Sequence, residues 1–265
     1  MIDLHTHLLP EWDDGAKDWE ETRRMAEIAA KDGVETIVMT PHIFRINKHA
    51  DDFETLARKF AEAEGRLADT GVKFLRGAEV YIRHDIVQMV KAHGLTVNKS
   101  SYFFIEFPAD YVPPGVKELV YQMMLEGLTP IISHPERNLG FAGHPESLYE
   151  LVRMGCLGQV TAKSLSREFG AETKKTADLF LKHNLVHVIA SDAHDTERRS
   201  PVLSKGVEEA AKIVGKEKAV AMVQEIPKAI LDDEGIPDWG EPENPAKPRR
   251  KLAFKVPWRR RGEGN

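Results

Sequence analysis

Short apolar runs alternate along the chain with longer stretches in which apolar side chains recur at helical spacing. The runs predict strands at residues 2–4, 36–39, 72–75, 102–107, 129–132, 158–161 and 186–190. The stretches between them predict helices at residues 18–30, 51–69, 84–92, 115–126, 145–154, 171–183, 201–214 and 216–223. This alternation predicts an α/β fold around a parallel sheet. Seven such units favour a closed, distorted seven-stranded (β/α) barrel, although the periodicity alone also fits an open sheet.

The alternation ends near Leu231, and the composition changes there. Residues 232–246 are rich in Pro, Gly and acidic residues, which predicts a linker between a domain at 1–231 and a tail at 247–265. The tail holds eight of the 37 basic residues and one of the 42 acidic residues of the chain. Residues 1–246 therefore keep 29 basic and 41 acidic residues, a net charge of −12 against −5 for the whole chain.

This charge distribution bears on the partners of the protein. The acidic body argues against broad nucleic-acid binding and suits a protein that concentrates divalent cations. The basic tail predicts a disordered, solvated extension. Because it also contains Leu252, Phe254, Val256 and Trp258, it has two further interpretations: peripheral contact with anionic membrane lipids, or binding of another macromolecule.

The compartment is predicted from three features of the sequence. Cys156 is the single cysteine, which excludes a disulfide framework and fits a reducing environment. No apolar run approaches the roughly 18 residues that a membrane-spanning helix needs. The chain also enters a strand-like segment at its first residues, so no signal peptide is expected. We therefore expect a cytoplasmic protein.

The first seven residues contain the most specific chemical pattern, Asp-Leu-His-Thr-His. Side chains two apart in a strand point the same way, so His5 and His7 are expected to converge at the end of the first strand. Imidazole is a common protein ligand for zinc, manganese and iron. A His-x-His pair is weak evidence by itself, and the rest of the chain strengthens it.

Further candidate metal ligands follow the other predicted strands, at the carboxyl ends where α/β folds place their sites. With the first pair, the candidates are His5, His7, Asp14, His42, Glu79, Glu106, His134, Asp192 and His194. Five histidines and four carboxylates suit two or three metal ions of the manganese, iron or zinc type. Asp13 is an alternative to Asp14, and Asp3 fits either a structural hydrogen bond or support of the ligands.

Arginines lie close to two of these ligand motifs. Arg137 follows His134, and Arg198 and Arg199 follow His194. Guanidinium binds phosphate oxygens in a bidentate fork and stays protonated. Two divalent ions can also activate water and hold phosphoryl oxygens during in-line displacement. The combination favours hydrolysis of phosphate esters. Four aromatic residues near the motifs could stack on a phenol ring or only pack in the core: Phe44, Tyr81, Phe107 and Tyr111.

The ordered motifs resemble the PHP (polymerase and histidinol phosphatase) superfamily, and within it the bacterial tyrosine-protein phosphatases of the capsular polysaccharide type. The resemblance covers residues 1–231. It rests on Asp-x-His-x-His at 3–7, Asp-Asp-Gly at 13–15, Thr-Pro-His at 40–42, Gly-Ala-Glu at 77–79, Ile-Glu-Phe at 105–107, His-Pro-Glu-Arg at 134–137 and Ser-Asp-x-His at 191–194.

This resemblance implies a distorted seven-stranded (β/α) barrel and a trinuclear site, typically with manganese, held by the nine candidate ligands. It implies that Arg137 and Arg199 bind phosphate and that Asp14, rather than Asp13, is the ligand. The implied substrate is the tyrosine-phosphorylated tail of a bacterial tyrosine kinase that controls exopolysaccharide synthesis. Two alternatives stay open: a phosphatase for a small molecule such as histidinol phosphate or a nucleotide, and a metal-binding regulator without catalytic activity.

Overall fold

The strands and helices alternate as the apolar pattern predicts. In the computed structural model, which describes residues 1–45 and 52–246, the strands are β1 (Ile2–Thr6), β2 (Thr36–Met39), β3 (His42–Ile43), β4 (Lys73–Arg76), β5 (Glu79–Tyr81), β6 (Tyr102–Glu106), β7 (Thr129–Ile132), β8 (Leu157–Thr161) and β9 (Val188–Ala190). The helices are α1 (Trp19–Lys31), α2 (Phe53–Arg66), α3 (Ile86–His93), α4 (Val116–Leu125), α5 (Leu139–Gly143), α6 (Pro145–Arg153), α7 (Ala162–Leu165), α8 (Ala171–Lys182), α9 (Ser204–Val214), α10 (Lys216–Ala221) and α11 (Glu225–Leu231).

All strand pairs are parallel, and they form two sheets. One sheet has the order β1-β2-β4, and the other has the order β3-β5-β6-β7-β8-β9. The second sheet continues the first, because the chain bends between β2 and β3 and again between β4 and β5. The Gly77 N–H donates to the Met39 carbonyl at 2.9 Å and the Glu79 N–H donates to the Pro41 carbonyl at 3.1 Å, so pairing persists across both bends.

Gly77 shows why the bend needs a small residue. A Cβ at this position would lie 2.8 Å from Val38 Cγ1 and 3.0 Å from Thr40 Cγ2, closer than real Cβ atoms approach. Glycine therefore lets the two bent strands lie side by side. Beyond the bend, the parallel strands β3 and β5 pair with His42 opposite Glu79.

The sheets curl until their outer strands meet. The His7 N–H donates to the Ala193 carbonyl at 2.8 Å, and the Asp192 N–H donates to the His5 carbonyl at 2.9 Å. Apolar side chains of β1, β6 and β9, such as Leu4, Phe104 and Ile189, are fully buried. The predicted α/β fold with parallel strands is confirmed, while the count of seven strands in a closed barrel stays a prediction.

Several elements differ from the sequence-based expectation, among them the short helices α5 and α7, which were not predicted. The strands β3 and β5 were missed because they are two or three residues long and carry polar side chains. The helix α11 was also missed. The helix predicted from residue 201 begins at Ser204, because the Asp32 carboxylate accepts hydrogen bonds from the backbone N–H groups of Leu203 at 2.7 Å and Ser204 at 3.0 Å.

Residues 232–246 form neither helix nor strand, yet they lie against the body at the amino ends of the strands. The Asp233 carboxylate accepts from Ser101 N–H at 2.6 Å, and the Glu234 carbonyl accepts from Tyr102 Oη at 2.8 Å. Trp239 is 7% exposed, and its carbonyl accepts from Lys218 Nζ at 2.7 Å. We call residues 232–246 the C-terminal strap. The predicted basic tail at 247–265 lies outside the described residues.

Among the residues that the structure describes, no helix has the length and apolar character needed to cross a membrane.

Candidate metal centre

All nine predicted ligands lie together at the carboxyl ends of the strands. His5 and Glu106 are on β1 and β6, and His42 and Glu79 begin β3 and β5. The others follow strands: His7 and Asp14 after β1, His134 after β7, and Asp192 and His194 after β9. Donor atoms of eight of them form three groups whose members all lie within 4.8 Å of one another: His7, Asp14, His42 and His194; His5, His7 and Asp192; and His42, Glu79 and Glu106. His134 is in none of these groups, but its Nε2 lies 3.1 Å from Glu79 Oε1.

Glu79 lies at the centre of this cluster and is fully buried. Its Oε2 is 2.8 Å from His42 Nδ1, 3.4 Å from His5 Nε2 and 3.5 Å from His7 Nε2. Its Oε1 is 3.1 Å from His134 Nε2. Burial opposes ionisation, but His5 and His42 outweigh it and hold the pKa of Glu79 well below its usual value. An ionised carboxylate surrounded by imidazoles can bridge two metal ions.

Asp192 connects the histidines to the arginines. Its Oδ1 lies 3.4 Å from His7 Nε2 and 3.6 Å from His194 Nδ1. Its Oδ2 accepts hydrogen bonds from Arg199 Nη2 at 2.6 Å and from Arg137 Nη1. Burial raises the pKa of Asp192, but the two guanidinium groups outweigh it and hold the pKa well below the usual range. Asp192 therefore stays ionised and holds both arginines at the edge of the cluster.

The geometry distinguishes Asp13 from Asp14 as the candidate metal ligand. Asp14 Oδ1 lies 3.4 Å from His194 Nε2 and 3.5 Å from His42 Nε2, so Asp14 belongs to the donor cluster. Asp13 instead supports it, because its Oδ2 lies 2.8 Å from both His7 Nδ1 and the His42 backbone nitrogen. Its Oδ1 accepts from the Gly15 N–H at 2.9 Å. The sequence reasoning gave Asp13 only the role of a turn residue or an alternative ligand.

The residues present fit divalent metal ions. Within the described part of the chain, several buried donor atoms of the cluster make no hydrogen bond of normal geometry, although each has an imidazole nitrogen or a carboxylate oxygen of another candidate ligand within 4 Å. These atoms are Glu79 Oε1 and Oε2, Glu106 Oε2, Asp192 Oδ1, His42 Nδ1 and His194 Nε2. Buried polar atoms without hydrogen bonds are costly in a protein interior. A bound cation would supply the interaction partner that these oxygens and nitrogens lack. The donor set contains histidine and carboxylate groups and no thiolate.

The protonation of the histidines follows from their neighbours. Burial lowers the pKa of His194 to about 4, helped by the positive charge of His7. Burial and Arg137 also lower the pKa of His134. Burial opposes the charge on His7, but Asp13 outweighs it and raises the pKa to about 10. Asp13 Oδ2 keeps a proton on His7 Nδ1, and His7 Nε2, which faces the cluster, would give up its proton on binding a metal ion.

Two buried polar residues behind the ligands complete the site. Gln159 Oε1 lies 3.1 Å from His5 Nδ1 and accepts from the His134 N–H at 3.1 Å, so it fixes two candidate ligands. Asp3 Oδ1 accepts from the Ser191 N–H at 3.0 Å, and burial raises the pKa of Asp3 to about 6. Sequence reasoning missed Gln159. The available signal was a polar residue within the mainly apolar strand β8. Glu106 is likewise a polar residue in the apolar strand β6.

Arg137 and Arg45 border a small cleft beside the cluster. The cleft measures about 80 Å³ and is lined by Arg45, Glu106, Phe107, Ala109, Ser133, His134, Arg137 and Asn138. Arg45 contacts the Glu106 carboxylate, and its guanidinium lies 5.7 Å from the centre of the Tyr81 ring. It was missed because it follows β3 outside any recognised motif. Arg198, the other half of the predicted pair, offers its backbone carbonyl to Lys163 instead.

The four aromatic candidates have different surroundings. Phe107 lines the cleft and packs edge-on against Phe141 at 5.2 Å. Phe44 packs against Phe53, and Tyr81 lies beneath Arg45. Tyr111 is 53% exposed. Of these four residues, Phe107 is the one placed to meet a ring that enters the cleft.

Comparison with known proteins identifies relatives across nearly the whole chain. The family described as "Capsular polysaccharide synthesis, CpsB/CapC" matches residues 1–232. The tyrosine-protein phosphatase YwqE of Bacillus subtilis is 33% identical over 257 residues, 96% of this chain and 100% of its own length. The tyrosine-protein phosphatase CpsB of Streptococcus pneumoniae is 32% identical over 249 residues, covering 89% and 100% respectively.

Solved structures agree with this relationship. A crystal structure from a study of YwqE and S. pneumoniae CpsB, described as unique metal-dependent tyrosine phosphatases, has a TM-score of 0.83 and 33% identity. It covers 92% of this chain and 99% of its own. A TatD family hydrolase from Entamoeba histolytica has a TM-score of 0.53 at 11% identity, covering 87% of this chain and 97% of its own, and shares only the fold. The resemblance inferred from the sequence motifs is thus confirmed.

Proposed function

Because the chain belongs to the CpsB/CapC family of capsular polysaccharide synthesis, we propose that it is a metal-dependent phosphatase that hydrolyses phosphotyrosine on proteins. One observation carries the proposal: the cluster of histidines and carboxylates around Glu79 lies directly beside Arg137 and Arg199. A site that combines divalent ions with two guanidinium groups is suited to an anionic phosphoryl group. The relatives that match almost the full length of the chain are named tyrosine-protein phosphatases.

We propose that all nine predicted residues are metal ligands and that Asp13, Asp3 and Gln159 hold ligands or their loops in place. Three donor groups support two or three ions per site. Mn²⁺ is the foremost candidate because the family resemblance implies manganese. Iron and zinc are alternatives, because histidine and carboxylate ligation suits all three metals.

The chain's own residues bind and orient the substrate. Arg137 and Arg199 donate to the phosphoryl oxygens from one side, and Asp192 keeps both guanidinium groups oriented. Phe107 offers its ring to the phenol in the cleft. When bound, the metal ions supply an activated water and neutralise charge on the phosphoryl oxygens. The leaving phenol has a pKa of about 10, so it departs more readily than an alkoxide.

Finer features of the fold, the substrate, the location and the tail belong to the same proposal. The two sheets act as one distorted barrel of seven strands, in which β2 with β3 and β4 with β5 each count as one bent strand. The phosphoprotein is a bacterial protein-tyrosine kinase that controls exopolysaccharide synthesis, and the enzyme acts in the cytoplasm. The domain ends near residue 231. For the tail at 247–265, which lies outside the described residues, a solvated extension and peripheral membrane contact are the competing interpretations, and salt-sensitive sedimentation with anionic vesicles would test them by comparing the full chain with residues 1–246.

The test of the substrate is a competition experiment. The protein is stripped of metal, refilled with Mn²⁺ and offered a phosphotyrosine peptide, histidinol phosphate and a mononucleotide. We expect the peptide to give the highest kcat/KM, and the Glu79→Gln variant to lose at least 100-fold because it removes the central carboxylate charge.

Two other outcomes of this experiment would favour a different function. Turnover of the small phosphates without turnover of the peptide would replace the proposed substrate by a small molecule. Bound metal without turnover of any of the three would favour a regulator that does not act as an enzyme.

A further inference from the structure

Lys163 is a buried lysine outside the metal cluster. It lies on the short helix α7, directly after β8, and only 6% of the residue is exposed. Its ammonium group donates to the Arg198 carbonyl at 2.6 Å and to the Glu197 carbonyl at 3.3 Å, and lies 3.2 Å from Glu168 Oε2. An ammonium group has three N–H donors, and each has an acceptor here. A buried charge is costly without such partners.

The two carbonyls that Lys163 holds belong to the residues immediately before Arg199. The same loop is closed by a second set of bonds: the His194 N–H donates to the Arg199 carbonyl at 2.8 Å, and the Arg199 N–H donates to Asp195 Oδ1 at 3.1 Å. The loop therefore starts at a candidate metal ligand and ends at a candidate phosphate-binding residue. Lys163 holds residues 197–198, which lie between these two, through their backbone carbonyls.

The position of Lys163 is itself fixed by close helix packing. A Cβ at Gly206 on α9 would lie 2.7 Å from the Cα and the Cβ of Ala162, so only glycine lets α9 approach α7 this closely. Ala162 is the residue before Lys163, so this contact packs the start of α7 tightly against α9.

From this geometry we infer that Lys163 is a positioning residue for phosphate binding, acting through the backbone of residues 197–198 on the guanidinium of Arg199. The inference rests on the proposed function, because it takes Arg199 to bind the phosphoryl group. It assigns a role to a side chain that touches neither the metal cluster nor the cleft. It also explains why a lysine is buried at the end of β8.

The test measures binding of inorganic phosphate to the Mn²⁺-loaded protein by calorimetry. We expect Lys163→Met to weaken binding roughly tenfold, since hydrogen bonds to a charged group are lost and the loop relaxes. Lys163→Arg, which keeps a buried cationic donor, should recover most of the affinity. The control Lys174→Met removes a lysine that pairs with Asp178 on α8, 2.8 Å away, and should bind phosphate as the wild type does.

A double-mutant cycle separates positioning from general destabilisation. In an Arg199→Ala background, Lys163→Met should weaken phosphate binding no further, because the group that it positions is absent. An equal weakening in both backgrounds, or wild-type binding by Lys163→Met, would overturn the inference. If Lys163→Met does not fold, Lys163→Gln, whose amide still donates to a carbonyl, is measured in its place. Phosphate binding needs no peptide turnover, so this test stands apart from that of the substrate.

Discussion

Asp13 holds the imidazole of His7, with Asp13 Oδ2 2.8 Å from His7 Nδ1. The same oxygen accepts from the His42 backbone N–H at 2.8 Å, and the other carboxylate oxygen accepts from the Gly15 N–H at 2.9 Å. One buried carboxylate therefore orients one candidate ligand, anchors the strand of another and closes the turn between Asp14 and the first helix. Such support of a ligand raises its basicity and fixes its tautomer.

Replacing Asp13 by Asn should lower metal affinity by roughly 10- to 100-fold. Both oxygens of Asp13 accept hydrogen bonds, so the amide of Asn must turn its NH₂ group toward a donor on one side. Metal binding to stripped protein, measured by competition with a chelator, checks this. The matched control is Asp69→Asn on the surface, where the carboxylate pairs with Arg23 at 2.8 Å. Equal affinity of Asp13→Asn and wild type would show that Asp13 only shapes the turn.

Gly15 should tolerate no side chain. A Cβ there would lie 2.0 Å from the His7 carbonyl oxygen, so Gly15→Ala must displace the backbone that carries His7. We expect a loss of more than about 2 kcal/mol in the free energy of unfolding, together with weaker metal binding.

Gly65→Ala is the control for this prediction. Gly65 is in α2, and a Cβ there would have no neighbour within 4 Å. The substitution should stabilise the protein by about 0.5–1 kcal/mol, as alanine does in a helix. Urea unfolding of both variants tests the pair, and a harmless Gly15→Ala would contradict the geometry of the turn.

His187 should make stability depend on pH. Burial, with the charge of Lys218, lowers its pKa to about 3, and its Nδ1 accepts from the Gly158 N–H at 3.1 Å. In the unfolded chain its pKa is about 6.5, so the unfolded state binds the extra proton between these values. Stability is therefore lost as pH falls from about 6.5 toward 3, by up to about 1.4 kcal/mol per pH unit.

The variant His187→Asn isolates this contribution. Its amide oxygen can still accept from Gly158, but it does not titrate. Urea unfolding at several pH values between 5 and 8 should show a smaller loss of stability at low pH than in the wild type. The histidines of the metal cluster are common to both proteins, so their contribution cancels. Parallel pH profiles would show that His187 is protonated in the folded protein.

The C-terminal strap should contribute to stability although it contains no helix or strand. Trp239 is buried, and its ring lies 4.6 Å from Lys218 Nζ and 6.0 Å from the His187 ring. We expect Trp239→Ala to reduce the free energy of unfolding by roughly 3 kcal/mol, as for other buried aromatic residues. Tyr121→Ala, which removes a ring that is 60% exposed, should change it little. If Trp239→Ala were equally harmless, residues 232–246 would be the simple linker that their composition suggests.

The sequence predicts the alternation of strands and helices well, because continuous apolar runs mark buried parallel strands. It misses β3 and β5, since these strands are only two and three residues long and each begins with a polar candidate ligand, His42 or Glu79. All nine candidate ligands could be named from ordered motifs, and the choice of Asp14 came from family resemblance. Gln159, Arg45 and Lys163 could not be found in this way. Their roles depend on contacts between residues far apart in sequence, such as the 3.1 Å from Gln159 Oε1 to His5 Nδ1.

The most direct test of the account is a metal titration of stripped protein with two simultaneous readouts: bound Mn²⁺ and turnover of a phosphotyrosine peptide. Without metal we expect no turnover, and with metal we expect turnover to rise as two or three ions fill each site. The Arg199→Ala variant should bind the same number of ions and raise KM for the peptide. Full turnover by the stripped protein, or turnover that does not follow metal occupancy, would contradict the account.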